Sequence, residues 1–292
     1  MDSSNISSTI SNAINYMFNN IFSSIDNTLY SVLDDFTFIN CDILYDDYFF
    51  DIFGYNFKEG ILLVANALIF GYLLYYSFKL LLSHLCIIEV ERPFQFIFKL
   101  IICAVCMNAS IFICEEIIYL ASLFSSIIRE LGVGIYETEI CFSSLITKLN
   151  PVLNINGNSL DIFSIDGIIK SLISIGLLNL VIAYSIRFVL VKIFVLISPF
   201  CFLSLCNKSS SILFKVWLKS FISLLLVQVF VSLILLLVFG LNMKSNNLMA
   251  KFTLFAAISI LIKANNYVRE LLGGISTEAG ISISNLKSSL LK

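Results

Sequence analysis

Long apolar blocks separated by short polar stretches dominate the chain from residue 60 onward. Gly60–Leu82, Phe94–Cys114, Ile168–Leu190 and Phe221–Gly240 each read as one such block. A weaker block, Leu248–Ile262, lies between Lys251 and Lys263. About twenty apolar residues in a helix cover about 30 Å, the thickness of a bilayer's hydrocarbon core. The blocks are continuous rather than alternating, which predicts membrane-spanning helices and excludes a β-barrel. The fold class is therefore all-α: a polytopic helical membrane protein with about five spans, six being the alternative.

The N-terminal segment follows a different period. Ile6, Ile10, Ile14, Met17, Phe18, Ile21, Phe22, Ile25, Leu29, Val32, Leu33 and Phe36 recur at threes and fours. This spacing predicts an amphipathic helix that does not cross the membrane. Its polar face is Ser, Asn and Asp with no lysine, so anionic lipid does not attract it. The stripe is expected to rest on an outer leaflet, on its own domain or on a neighbouring copy. Residues 40–57, acidic and aromatic, are expected at headgroup level. Beyond Cys114 the one-sided apolar pattern continues to Leu131. It predicts a helix emerging from the bilayer and stopping at Gly132 and Gly134.

One stretch interrupts the second half, "SPFCFLSLCNKSSSILFKVWLKS" (residues 198–220). It holds Pro199, the only tryptophan (Trp217), a Ser/Asn patch and the lysines Lys208, Lys215 and Lys219. The run 193–206 is short for a crossing, and Pro199 removes the helical donor to the carbonyl of Val195. A re-entrant or interfacial segment is expected there, followed by a polar turn. Trp217 is expected as an interfacial anchor between Lys215 and Lys219, with Arg187 and Lys192 at the end of the preceding span.

Charge distribution sets the topology. The 292 residues are 59% hydrophobic and 13% charged, with a mean hydropathy of +0.95, too little charge to cover a soluble protein of this size. With the acidic N-terminus outside, five spans leave Lys58, Arg129, Lys148, Lys170, Lys244 and Lys251 external. The other twelve of the 18 basic residues are then cytoplasmic. Six spans leave seven inside and eleven outside. The positive-inside rule favours the first, with the N-terminus outside and the C-terminus cytoplasmic. This divides the chain into an extracytoplasmic N-terminal segment (1–58), a transmembrane hairpin (59–114) and an extracytoplasmic central segment (115–167). A transmembrane core (168–263) interrupted at 193–219 and an amphipathic cytoplasmic tail (264–292) complete it.

Little in the chain points to catalysis. A single histidine, His84, excludes a multi-histidine metal site and disfavours a His-dependent triad. No nucleophile elbow, zinc-protease motif or phosphate loop is present, so neither enzyme activity nor a cofactor or metal is expected. The eight cysteines include the pair Cys103 and Cys106, read as small apolar residues on a helix face. Cys41 and Cys141, in the two acidic segments, are candidates for a disulfide. All charges near spans lie at their ends on this reading. The polar side chains left inside are Asn66, Asn108, Asn179 and Gln228. They suit either helix–helix hydrogen bonds or a wet conduit.

Pro199-Phe200, "CFLSL", "CNKSSS", Phe214 and Trp217-Leu218 stand in an order that resembles the TrbL class of polytopic subunits of conjugative type IV secretion machines. The likeness covers residues 60–262 as architecture and is specific over about twenty residues. Lys208 stands alone where that class often has a Thr-Arg pair. The resemblance implies an oligomeric channel component of the bacterial inner membrane. Its partners would be a membrane ATPase, pilus-type or VirB-like subunits and further copies of itself, with transient contact to translocating DNA or protein. A small-solute exporter or permease, and a membrane scaffold without a conduit, are the alternatives.

Overall fold

The computed structural model describes Tyr16 and residues 27–54, 60–85, 92–145, 165–207, 210–240 and 248–272. Its helices are α1 (Asn27–Thr37), α2 (Asp47–Phe53), α3 (Ile61–Leu85), α4 (Pro93–Asn108), α5 (Ser110–Tyr136), α6 (Ile165–Leu203), α7 (Ser211–Phe239) and α8 (Leu248–Leu272). Short 3-10 turns at Cys41–Leu44 and Ser204–Cys206 complete the described elements, and no strand occurs among them. The protein is all-helical and polytopic. Among the described residues, four helical stretches are long and apolar enough to cross a membrane: Ile61–Ser83, Ser110–Tyr136, Ile175–Cys206 and Ser211–Phe239.

Two of these differ from the spacing-based expectation. The block 94–114 is not one helix; the chain turns at Ala109, separating α4 from α5. At 16 residues, α4 is about 24 Å long, short of the hydrocarbon core. The 27-residue α5 reaches about 40 Å, so 110–136 replaces 94–114 as the span candidate. The expected boundary at 114/115 falls inside it. Nor do the glycines stop α5. It runs through Gly132 and Gly134 to a left-handed cap at Glu137 (φ 54°), whose N–H donates to the carbonyl of Val133. Gly132 instead gives room for the returning chain, because a Cβ there would overlap Ile140. The weak block 248–262 forms part of α8, which continues past the expected boundary at 263/264 to Leu272. The tail beyond it lies outside the described residues.

The run 193–206 is likewise no separate element. It is the C-terminal end of α6, whose 39 residues extend about 58 Å. Pro199 lies within this helix without ending it. The carbonyl of Val195, which Pro199 leaves without its helical donor, accepts from the hydroxyl of Ser198 at 2.7 Å. The local side chain supplies what the proline removes. The chain then turns through Ser204–Cys206 and Asn207. The Ser210 hydroxyl donates to the carbonyl of Ser204 at 2.8 Å, and α7 packs back along α6.

The buried apolar residues form two clusters along this α6–α7 hairpin. One holds Leu177, Leu180 and Tyr184 of α6, Val227–Phe239 of α7, and Ala257, Ile258 and Leu261 of α8. The other holds Val191, Val195 and Cys201–Leu203 of α6, Trp217–Leu225 of α7, and residues of α3 and α4. Leu33 belongs to the first and Ile39, Ile43 and Leu44 to the second. The N-terminal chain therefore passes from one cluster to the other. Ile39, Ile43, Leu44, Phe49 and Phe53 are buried in the protein's own core while Tyr45, Tyr48 and Ile52 are exposed, so 39–53 packs one side on the helices and leaves the other open. Of the apolar stripe, Leu33 and Phe36 pack on the same core, while the residues before Asn27 other than Tyr16 lie outside the described set.

From Lys192 to Leu203 the helix rises about 17 Å, well under the hydrocarbon thickness. Single cysteines placed at Lys192 and Ser210, in a background lacking the native cysteines, should therefore react from the same side of the membrane with an impermeant thiol reagent. Labelling from opposite sides would place a full crossing between them.

Candidate functional site: a buried polar junction beneath an acidic strap

Residues 34–46 form a strap across the middle of the long helices, and its inner side is fastened by two buried polar side chains. Arg187 of α6 is fully buried (0% exposed). Its Nε donates to the carbonyl of Leu224 on α7 at 2.6 Å, and its Nη1 to the carbonyl of Thr37 at 2.9 Å. Gln228, one turn beyond Leu224, is also fully buried; its Oε1 accepts from the N–H of Ile39 at 3.0 Å. The two side chains thus grip the three consecutive residues Thr37, Phe38 and Ile39. Thr37 keeps its geometry by donating its hydroxyl to the carbonyl of Leu33 at 2.7 Å.

The placement of Arg187 corrects the expectation that every charge lies at a span end. It stands inside the apolar stretch Ile175–Cys206, opposite the middle of α7. Its neighbour Tyr184 is buried one turn away and donates to the carbonyl of Leu261 on α8 at 3.0 Å. No carboxylate pairs with Arg187 among the described residues. A buried cation without one is stable only where carbonyl dipoles or a further acceptor surround it.

The outer side of the strap is polar. Asp34 accepts from the N–H of Phe142 (2.8 Å), the N–H of Ser143 (3.1 Å) and the hydroxyl of Ser143 (2.7 Å). The Arg129 guanidinium sits 4.3 Å from the centre of the Phe38 ring, and its Nε donates to the carbonyl of Ile140 at 3.0 Å. The Cys41 thiol donates to the carbonyl of Glu115 at 3.7 Å, and the Tyr45 hydroxyl to the Glu115 carboxylate. Asp46 pairs with Lys192 at 3.4 Å. Between strap and α6 lies a groove of about 380 Å³, lined by Asp35, Asp42, Asp46, Phe38, Phe188 and Lys192 among others. Partial burial, and then the neighbouring carboxylates of Glu115, Asp42 and Glu116, push the Cys41 thiol up. The hydrogen bond to Glu115 is the main cause that pushes the Tyr45 phenol up.

The remaining candidates occupy separate places. Trp217 is buried rather than interfacial: its indole N–H donates to the carbonyl of Phe194 at 2.9 Å, and its ring stacks on Phe221 at 5.5 Å. It clasps the hairpin near Pro199, while Lys215 and Lys219 point outward as exposed side chains. Asn66 of α3 and Asn108 of α4 exchange two amide hydrogen bonds, both 3.2 Å, which joins these helices. The Oδ1 of Asn179 is buried without a partner. Cys41 and Cys141 are free thiols, so the expected disulfide between them is absent. Among the described residues no group of three or more His, Cys, Asp and Glu has a metal-holding arrangement. Asp34, Thr37, Asp46 and Arg129 were not singled out from the sequence. Apart from Leu33 for Thr37 and Ile140 for Arg129, their partners are 91 or more positions away, and no local pattern marks them.

Comparison with protein-family models, with curated proteins and with solved structures finds no match.

Arg187→Lys keeps the charge but offers no planar fork to bridge two carbonyls. A hydrogen bond to a charged group contributes about 1.5–3 kcal/mol, so backbone amides in 37–46 should exchange about 10–100-fold faster in the variant, with α6 and α7 still protected. Asp46→Asn removes only an exposed pair and should leave exchange nearly unchanged. Equal protection of the strap in Arg187→Lys would show that the guanidinium does not hold it. A raised thiol pKa means less thiolate at pH 8. Cys41 should therefore alkylate more slowly than a free thiol, and Glu115→Gln should speed it; mass-spectrometric rates check both.

Proposed function

We propose that the protein is a non-enzymatic membrane component of a type IV secretion-type machine, an oligomeric subunit contributing to a translocation conduit. The observation that supports this reading is the acidic strap packed on the long apolar helices. Asp42 and Asp46 are exposed there, and Asp35 is exposed beside them. Exposed carboxylates are costly against lipid, so water or protein is their natural cover. A neighbouring copy or an aqueous conduit supplies both. Elsewhere the helices carry large exposed apolar side chains, among them Phe70, Phe78, Phe94, Phe98 and Phe124. Lipid and partner subunits are the natural cover for such a surface.

The order of Pro199, the polar turn and Trp217 underlies the resemblance to TrbL-type subunits. The contacts give that order a mechanical sense. Ser198 repairs the helix at the proline, and Trp217 ties the returning helix to Phe194. A stiff hairpin that bears a polar strap suits a fixed structural subunit of a larger assembly. The N-terminus lies outside and the C-terminus in the cytoplasm on this reading. The buried Arg187 favours one second reading, a small-solute permease, since a charge inside a span is typical of solute pathways.

Native electrophoresis and copurification from the host membrane separate the two. A machine subunit should migrate as a multimer and copurify with an ATPase or pilus-type subunit. Asp35→Lys together with Asp42→Lys should weaken that complex while leaving membrane insertion intact. A monomer that copurifies with no partner, and transports solute alone in liposomes, would overturn the assembly reading and favour the permease.

A further inference from the structure

Two buried donors at the strap junction lack acceptors. Arg187 uses Nε and Nη1 on the carbonyls of Leu224 and Thr37, but its Nη2 has no hydrogen-bond partner. Gln228 uses Oε1 on the N–H of Ile39, but its Nε2 has none either. Both side chains are fully buried. They belong to one locus, because Leu224 and Gln228 are successive turns of one face of α7, and Thr37 and Ile39 flank a single residue. A cationic N–H and an amide N–H are thus both unpaired on the two side chains that hold Thr37–Ile39, and no carboxylate pairs with the guanidinium among the described residues. Leaving both unmet is costly in an apolar interior, and the chemistry that meets them is an acceptor carrying negative charge.

We infer that the Arg187–Gln228 junction is a binding site for a small monovalent anion of halide size. The anion would accept from Nη2 of Arg187 and Nε2 of Gln228 and neutralise the buried guanidinium. Thr37–Ile39 would close the site, since both side chains hold that stretch. Binding would therefore fasten the strap to α6 and α7. The groove beside Phe38, Ile39 and Phe188 is the nearest opening. Its carboxylates Asp35, Asp42 and Asp46 oppose anion entry, which favours a monovalent over a divalent ion. This inference does not depend on the function proposed above.

The test uses the full chain purified in detergent. Its unfolding temperature is measured in sodium chloride, bromide and gluconate at equal ionic strength, and 35Cl line broadening is recorded on the same sample. Chloride and bromide should raise the temperature saturably over gluconate by about 2–5 °C, and the protein should broaden the chloride line. Gln228→Glu keeps the acceptor for Ile39 and places a carboxylate where the anion would sit. That variant should lose both the halide dependence and the broadening. A wild-type protein equally stable in chloride and gluconate, with no broadening, overturns the site and leaves water as the acceptor. Full halide dependence in Gln228→Glu overturns it too, by placing the ion elsewhere. If Gln228→Glu does not fold, the wild-type measurements still decide.

Discussion

A guanidinium inside an apolar helix bundle must be surrounded by acceptors, and much of this structure is arranged around that requirement at Arg187. Leu224 and Thr37 offer their carbonyls to it. The Leu224 carbonyl is available because α7 runs back along α6 at this height. Thr37 is available because the N-terminal chain leaves α1 here and crosses toward Ile43 and Leu44. The arginine therefore joins α6, α7 and the end of α1 at one point, within apolar clusters that all three share. Exposed ion pairs stabilise little, so the outer contact of Lys192 with Asp46 adds less than this buried one. The junction also marks where one apolar cluster ends and the other begins, with Tyr184 on one side and Val191 on the other.

The strap's outer polarity follows from the same placement. Where α1 ends at Thr37 and the chain crosses toward the 3-10 turn at Cys41–Leu44, its N–H and C=O groups need partners. Gln228 and Arg187 supply them on the inner side. On the outer side, Asp34 serves the backbone of Phe142 and Ser143, which holds the segment after α5 in place. Arg129 lies over Phe38 and caps the carbonyl of Ile140. Asp34 thus fastens the crossing chain to the segment after α5, and Asp46 adds an exposed pair with Lys192.

Helix type and apolar length were legible in the sequence because they depend on local period and composition. The span of α3 and the hairpin of α6 with α7 could be read in this way. The break at Ala109 could not, since no proline, glycine or polar run marks it. Continuity through Pro199 was hidden for a different reason: the repairing hydroxyl of Ser198 is a local contact that apolar counting ignores. Arg187 was misplaced because Lys192 follows closely, and two basic residues near the end of an apolar block look like a membrane boundary. Only a contact 150 positions away, with Thr37, shows that one of them faces inward. Trp217 between two lysines looks interfacial in the same manner. Its buried hydrogen bond to Phe194 depends on the hairpin register, which composition does not encode.

That register also ties the two ends of the hairpin together mechanically. Trp217 meets Phe194, and Arg187 meets Leu224, so the two contacts lie seven positions apart on each helix. Seven residues are about two helical turns, which keeps both contacts on the same face of α6 and of α7. A rotation of α7 about its axis would break both at once, whereas a bend between them would break neither. The two contacts therefore oppose rotation of α7 on α6, and the strap rides on the end of the fixed region nearer the midpoint of α7. A movement of α6 against α7 at this point would reach Thr37–Ile39 directly, because the guanidinium of Arg187 and the amide of Gln228 hold that stretch from the two helices.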